Sequence, residues 1–119
     1  MEPLANTIPT SATNKKSTAL QRSIIRELLL GQDPQSYASH CKVICNMREP
    51  DLSAIKAPVL ILAGEEDKSA PMEGCQYLHD SLGSPAKELV VMKGVGHWHC
   101  IEAGAQVASE IDTFWASLA

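Results

Sequence analysis

Several features that mark other classes of protein are absent from this sequence of 119 residues. Its longest apolar run, residues 57–64, is too short to cross a bilayer. The polar start, residues 1–16, lacks the apolar stretch of a secretory signal. Aromatic residues make up only 4% of the chain, and they do not interleave with a basic stripe. We therefore expect neither membrane insertion nor nucleic-acid binding, and we predict a soluble cytoplasmic protein.

The four cysteines follow no pattern typical of disulfide-rich or zinc proteins. No Cys-x-x-Cys pair occurs, and without an export signal the thiols are expected to stay reduced. Two groups contain the imidazole and thiolate side chains that bind zinc. They are His40 with Cys41 and Cys45, and His97 with His99 and Cys100. Cys41 and Cys45 lie four apart on a predicted helix, where small apolar side chains are normally buried. We therefore expect no metal site and no cofactor.

Charge divides the chain near Pro50. Residues 1–50 carry six basic and four acidic groups, whereas residues 51–119 carry four basic and ten acidic groups. We predict an extended or disordered lead-in over residues 1–16, because this stretch is rich in Thr, Ser, Asn and Pro and has no period. Residues 17–50 form a helical region, and residues 51–119 form an α/β region.

Two helices are predicted in the region 17–50. The first covers residues 17–30, has apolar residues at three- and four-residue spacing, and ends at Gly31. The second begins with Asp33 as N-cap and Pro34 in its first turn, and fades before Pro50. Its expected buried stripe consists of Tyr37, Cys41, Ile44 and Cys45.

Two buried strands are predicted in the region 51–119. Residues 59–63 form a continuous β-favouring run, and residues 89–92 form a second one. A helix that starts at Pro71, with Cys75, Leu78 and Leu82 inward, separates the strands. A final helix carries an apolar stripe from residue 101 to residue 118. The order helix, helix, strand, helix, strand, helix indicates a partial α/β fold with two parallel strands.

Asp67 and His97 each follow one of these strands. Because a strand-helix-strand crossover brings both carboxyl ends to one edge of a parallel sheet, we expect the two side chains to meet there. A carboxylate that accepts the Nδ1 proton of an imidazole leaves Nε2 free to take a proton from a nucleophile. Taken singly, Asp67 could be a helix cap or a solvated turn residue, and His99 is a rival to His97 that lacks the preceding glycine.

Three stretches resemble the C-terminal part of the α/β-hydrolase superfamily, and more closely its branch typified by 3-oxoadipate enol-lactonase. They are residues 32–38 (QDPQSYA), 55–71 (IKAPVLILAGEEDKSAP) and 94–102 (GVGHWHCIE). The resemblance implies that the first stretch closes a helical cap, that the second supplies the catalytic acid Asp67, and that the third supplies the catalytic base His97. Glu102 is expected to have a structural role and to hydrogen-bond the histidine loop.

The nucleophile motif of that family, Gly-x-Ser-x-Gly, occurs nowhere in the chain. The resemblance therefore implies that the chain carries the acid and the histidine of a hydrolase that acts on a small-molecule ester or lactone. It also implies that this chain alone has no activity. The alternative is a non-catalytic fragment or a truncated paralogue that binds a homologue, or a second copy of itself, through the bare edge of its sheet.

Overall fold

The two strands run parallel and form the only sheet in the computed structural model, which describes residues 1–119. Helices precede, separate and follow them. The elements in chain order are α1 (Glu2–Ser11), α2 (Ala19–Leu30), α3 (Pro34–Asn46), a 3-10 turn (Leu52–Ala54), β1 (Val59–Gly64), α4 (Met72–Ser81), β2 (Lys87–Met92), α5 (His99–Glu102) and α6 (Gly104–Ser117). The predicted partial α/β fold is confirmed.

The ladder between β1 and β2 pairs Val59 with Lys87 at one end and Gly64 with Met92 at the other. Both strands therefore stop level with each other, and the loops that follow them start side by side. Each strand has one edge without a partner strand. The prediction of strands buried on both faces is wrong for most positions, and the side chain of Val91 is 45% exposed. Two strands and their helices provide too little surface to cover both faces.

Helices α2 and α3 begin close to where the sequence predicts. Thr18 caps α2 in a capping box with Gln21, each side chain bonding the backbone N–H of the other. Asp33 caps α3 by accepting a hydrogen bond of 2.8 Å from the amide of Ser36. The predicted buried stripe of α3 is wrong, because Cys41, Ile44 and Cys45 are all exposed and Tyr37 is half-buried. Tyr37 packs against the core between α1 and α2, whereas the other three side chains are left uncovered.

The first helix corrects the expectation of an extended lead-in. Residues 2–11 form α1, with Pro3 in the first turn, where a proline costs no hydrogen bond. Ala5 packs against Ile25 and Leu29 of α2, and these three side chains are fully or almost fully buried. Burial against α2 outweighs the low helix propensity of the Thr, Asn and Pro residues in this segment.

The last predicted helix is divided in two. Ala103 has a non-helical conformation between α5 and α6. Val107 is the buried residue of α6, whereas Trp115 is 76% exposed and Ile111 is also exposed. Leu78 of α4 is likewise exposed, whereas Leu82, which follows the end of α4, is buried. These apolar stripes therefore mark faces that this chain leaves uncovered.

Every helix in the structure is too short or too polar to cross a lipid bilayer.

Candidate active site

The loop after β1 buries the carboxylate of Asp67. Its Oδ1 accepts hydrogen bonds from the amides of Ser69 (2.7 Å) and Ala70 (3.0 Å). The amide of Asp67 in turn bonds the carbonyl of Gly64, the last residue of β1. The side chain of Asp67 is only 1% exposed. A tight turn at the strand end thus holds a buried carboxylate by one oxygen and leaves the other oxygen free.

The loop after β2 lies directly against this turn. Gly94 adopts a φ of +67°, which glycine accepts more readily than other residues. Its amide donates to Oε2 of Glu65 over 2.9 Å, and the amide of Glu66 donates to the carbonyl of Val95 over 2.9 Å. A Cβ atom on Gly64 would lie 2.6 Å from that same carbonyl. The two loops therefore approach so closely that Gly64 has room for no side chain.

This contact brings His97 to Asp67. The ring atom Nδ1 of His97 lies 2.9 Å from the second carboxylate oxygen of Asp67, Oδ2. The His97 side chain is 44% exposed, so its far edge faces an open space. With the proton on Nδ1, the imidazole donates to the carboxylate and presents an unprotonated Nε2 outward. The two predicted site residues are therefore brought together in the arrangement that an acid–histidine pair requires.

The electrostatics keep Asp67 ionised. Burial alone raises the pKa of this carboxyl, since an anion loses its hydration. Hydrogen bonds from the Ala70 amide, the His97 ring and the Ser69 amide outweigh that effect and hold the pKa of Asp67 below its ordinary value. The carboxylate is thus available as an acceptor for the imidazole at neutral pH.

The other histidines lack this arrangement. His79 Nδ1 lies 3.0 Å from Oδ1 of Asp80, but both belong to the end of α4 and the Asp80 side chain is 64% exposed. His99 begins α5, and its buried Nε2 has no hydrogen-bond partner. Only His97 combines a buried carboxylate on one ring nitrogen with an exposed far edge.

No three His, Cys, Asp or Glu side chains lie close enough together to hold a metal ion. All four cysteines are free thiols. Cys41, Cys45 and Cys100 are exposed, so the expectation that the helical cysteines are buried is wrong. In the His97–His99–Cys100 group, Nδ1 of His97 contacts Oδ2 of Asp67 over 2.9 Å.

A cavity of about 540 Å³ opens beside His97. Its walls come from α1, α2, α3 and the two loops that follow β1 and β2. The wall residues are Ile8, Ser11, Ala12, Leu29, Tyr37, Lys68, Ser69, His97 and Trp98. The wall residues from α1 are absent from the sequence-based expectation. Met1, Ala5 and Ile8 nevertheless recur at helical spacing, and that signal could have revealed the helix.

Two serines line the cavity, Ser11 and Ser69. Neither side chain forms a hydrogen bond with His97, whose ring contacts only Asp67 in this way. Ser69 lies two residues after the acid, and Ser11 is the last residue of α1. An ester-cleaving serine must hydrogen-bond the base and sit beside donors for the oxyanion. The chain therefore presents an acid and a base without a serine paired to them.

Residues 32–117 match the α/β-hydrolase family described as TAP-like proteins. No curated protein sequence matches the chain.

The fold is similar to that of several solved hydrolases. An esterase from Thermogutta terrifontis superposes with a TM-score of 0.85 at 19% identity, over 96% of this chain and 43% of the esterase. The enol-lactonase from Burkholderia xenovorans superposes with a TM-score of 0.86 at 21% identity, over 98% of this chain and 45% of the lactonase. A 2-hydroxy-6-oxo-6-phenylhexa-2,4-dienoate hydrolase from a Rhodococcus species gives a TM-score of 0.71 at 20% identity, over 97% and 44%. The chain thus spans less than half the length of each of these proteins.

Proposed function

Because the chain belongs to the TAP-like family of α/β-hydrolases, we propose that it supplies the acid and base of an enzyme that hydrolyses a carboxylic ester or lactone. Asp67 orients the imidazole of His97, and His97 transfers the protons. The observation that carries this proposal is the 2.9 Å contact between Nδ1 of His97 and the buried Oδ2 of Asp67. A proton on Nδ1 satisfies this contact and leaves Nε2 unprotonated, and His97 lines the cavity.

The proposed reaction is acyl transfer to water through a serine ester. His97 Nε2 takes the proton of a serine hydroxyl while the serine oxygen attacks the substrate carbonyl. The same nitrogen then gives that proton to the alkoxide that leaves. A water molecule then attacks the serine ester while Nε2 takes its proton, and Nε2 returns that proton to the serine oxygen as the carboxylic acid product leaves. In this proposal the serine and the oxyanion donors come from the part of the hydrolase fold that this chain does not contain. The chain covers 43% of the esterase and 45% of the enol-lactonase, which leaves room for such a part.

The cavity beside His97 supports a small, partly apolar substrate. Ile8, Leu29 and Trp98 provide apolar wall, and Tyr37 closes the side formed by α3. A volume of about 540 Å³ lies within the range of small-molecule pockets. The structural neighbours include an esterase and an enol-lactonase, which favours a carboxylic ester or a lactone as the substrate class.

The bare sheet favours a second, non-catalytic function. The outer edges of β1 and β2 carry no partner strand, and Val91 on β2 is 45% exposed. Unpaired edges attract further strands. In this alternative, the chain binds a second copy or a full-length homologue through a strand edge. A concentration-dependent mass in sedimentation equilibrium would support binding of a second copy, and a monomeric mass at all concentrations would contradict it.

The test of the catalytic proposal uses the reading frame that encodes this chain. The coding sequence upstream of the Met1 codon is read in the same frame, and the longer protein that it encodes is expressed. This protein is assayed with p-nitrophenyl acetate and an enol-lactone. We expect a Gly-x-Ser-x-Gly motif upstream, and turnover that falls by about 10³-fold or more in His97→Ala and Asp67→Asn. A folded protein without turnover, or turnover that survives His97→Ala, would contradict the proposal.

A matched control is available in the same chain. His79 contacts Asp80 over a similar distance, 3.0 Å, but lies at the end of α4 away from the cavity. His79→Ala removes an imidazole beside an aspartate without touching the proposed site. We expect this variant to keep the activity of the unmodified protein.

A further inference from the structure

The carboxylate of Glu102, at the end of α5, receives four hydrogen bonds. Its Oε2 accepts from the amide of Asn14 (2.8 Å), the amide of Gly96 (3.0 Å) and the hydroxyl of Ser17 (3.2 Å). Its Oε1 accepts from the amide of Trp98 over 2.9 Å. Both oxygens are therefore committed to donors, and all of these donors lie in two segments far apart in sequence.

One of these segments carries His97. The amides of Gly96 and Trp98, on either side of the histidine, both donate to Glu102. The amide of His97 itself donates to the carbonyl of Ala12 over 2.9 Å. Three consecutive N–H groups are thus held from outside the loop, and the backbone of His97 cannot rotate without breaking at least one bond to Glu102 or Ala12.

The other segment is residues 14–17, which joins α1 to α2. It lies in direct contact with the histidine loop, because a Cβ atom on Gly96 would be 2.8 Å from the amide nitrogen of Asn14. Asn14 and Ser17 are both buried. Gln21 of α2 adds a hydrogen bond of 2.8 Å to the carbonyl of Ile101. The junction between α1 and α2 therefore packs on the backbone that presents the imidazole.

From these contacts we propose that Glu102 is a positioning residue for His97, and that it couples the docking of residues 14–17 to the placement of the imidazole. The inference rests on the proposed function only in taking His97 as the base. A carboxylate suits this place because it offers acceptors alone. A glutamine there would direct its NH₂ group at an N–H or O–H donor, whichever way its amide turned.

The test follows the Nδ1 proton of His97 by NMR in the 119-residue chain. In Glu102→Gln we expect this proton to exchange with solvent about 10- to 100-fold faster, the effect of losing hydrogen bonds to a charged group. Glu73→Gln is the matched control, since Glu73 is an exposed glutamate of α4 that makes no hydrogen bond, and its exchange should stay unchanged. Unchanged exchange in a folded Glu102→Gln variant would overturn the proposal.

A milder variant keeps the proposal testable if Glu102→Gln fails to fold. Ser17→Ala removes one of the four hydrogen bonds and lies outside the histidine loop. We expect the His97 proton to exchange about threefold faster or more in this variant. An unchanged rate would contradict the coupling between residues 14–17 and the imidazole.

The pair and its positioning residue can be distinguished. If Asp67→Asn leaves the Nδ1 signal unaltered, the acid–histidine pair itself is wrong. If Asp67→Asn abolishes the signal, the contact between Asp67 and His97 is supported. If the exchange rate is then unchanged in both Glu102→Gln and Ser17→Ala, only the role of Glu102 is wrong.

Discussion

The imidazole of His97 and the carboxylate of Asp67 meet at 2.9 Å, although 30 residues separate them in the sequence. The parallel ladder explains this contact, because it ends with Gly64 opposite Met92 and places both following loops at one edge of the sheet. Asp67 is the buried member of the pair, and His97 is the exposed member. This division of burial is what an orienting carboxylate and a proton-transferring imidazole need.

The isolated 119-residue chain is expected to lack hydrolase activity. It contains the proposed acid and base, but no serine paired with His97 and no Gly-x-Ser-x-Gly motif. Loss of a nucleophile alone removes most of the rate enhancement of a serine hydrolase. The initial rate with p-nitrophenyl acetate should therefore be the same for the chain and for His97→Ala, after circular dichroism has established that both fold. A higher rate that depends on His97 would show that a serine or cysteine of this chain completes the site.

The stability of the chain should depend on the ionisation of Asp67. Its pKa is lowered in the folded state, so the carboxylate adds stability that is complete above the ordinary aspartate pKa of about 3.9. This contribution is lost as the pH falls through the lower pKa of the folded protein. Urea unfolding should therefore show a larger deficit for Asp67→Asn at about pH 7 than at about pH 3.

Asp112→Asn is the control for that experiment, because Asp112 is an exposed residue of α6 without a hydrogen bond. Its effect on unfolding should be small at both pH values. A deficit for Asp67→Asn that is equal at neutral and acidic pH would show that the charge of Asp67 does not stabilise the fold.

Gly96 is expected to tolerate no side chain. A Cβ atom there would lie 2.8 Å from the backbone nitrogen of Asn14 and 2.9 Å from Oε1 of Glu102. Gly96→Ala should cost about 1–3 kcal/mol of unfolding free energy, as expected for overpacking. Gly74→Ala is the matched control, because Gly74 lies inside α4 with nothing within 4 Å of its missing Cβ. Alanine should stabilise that helix by about 0.5–1 kcal/mol. Equal effects at the two positions would contradict the packing described here.

The docking of α1 on α2 can be tested with two neighbouring isoleucines. Ile25 is fully buried against Ala5, whereas Ile24 is 43% exposed. Ile25→Ala should lower the unfolding free energy by about 2–5 kcal/mol. Ile24→Ala should lower it by about 1 kcal/mol or less. Similar losses for both variants in urea titrations would show that α1 does not cover this part of α2.

Local signals in the sequence predict much of this fold. Asp33 before Pro34 marks the start of α3, and apolar runs mark both strands. The contact between Asp67 and His97 could also be predicted, because each follows a strand and parallel strands end at one edge. The role of Glu102 as a hydrogen-bond acceptor for the histidine loop is likewise as expected.

Tertiary packing decided the points that the sequence did not predict. The segment that holds α1 has poor helix propensity and becomes helical where Ala5 is buried against α2. The stripe of α3 and the stripe that includes Trp115 have helical spacing but remain exposed. Periodicity reports that a face is apolar, and it does not report whether this chain supplies the surface that covers it.

The orientation of the His97 imidazole tests the central claim most directly. Long-range ¹H–¹⁵N NMR of the chain at about pH 8.5, where an ordinary imidazole is neutral, distinguishes the two ring tautomers. We predict that His97 carries its proton on Nδ1, and that this preference is lost in the Asp67→Asn variant. A proton on Nε2 of His97 in the unmodified chain would contradict this prediction, because the unprotonated nitrogen would then be Nδ1, which faces Asp67 and not a nucleophile.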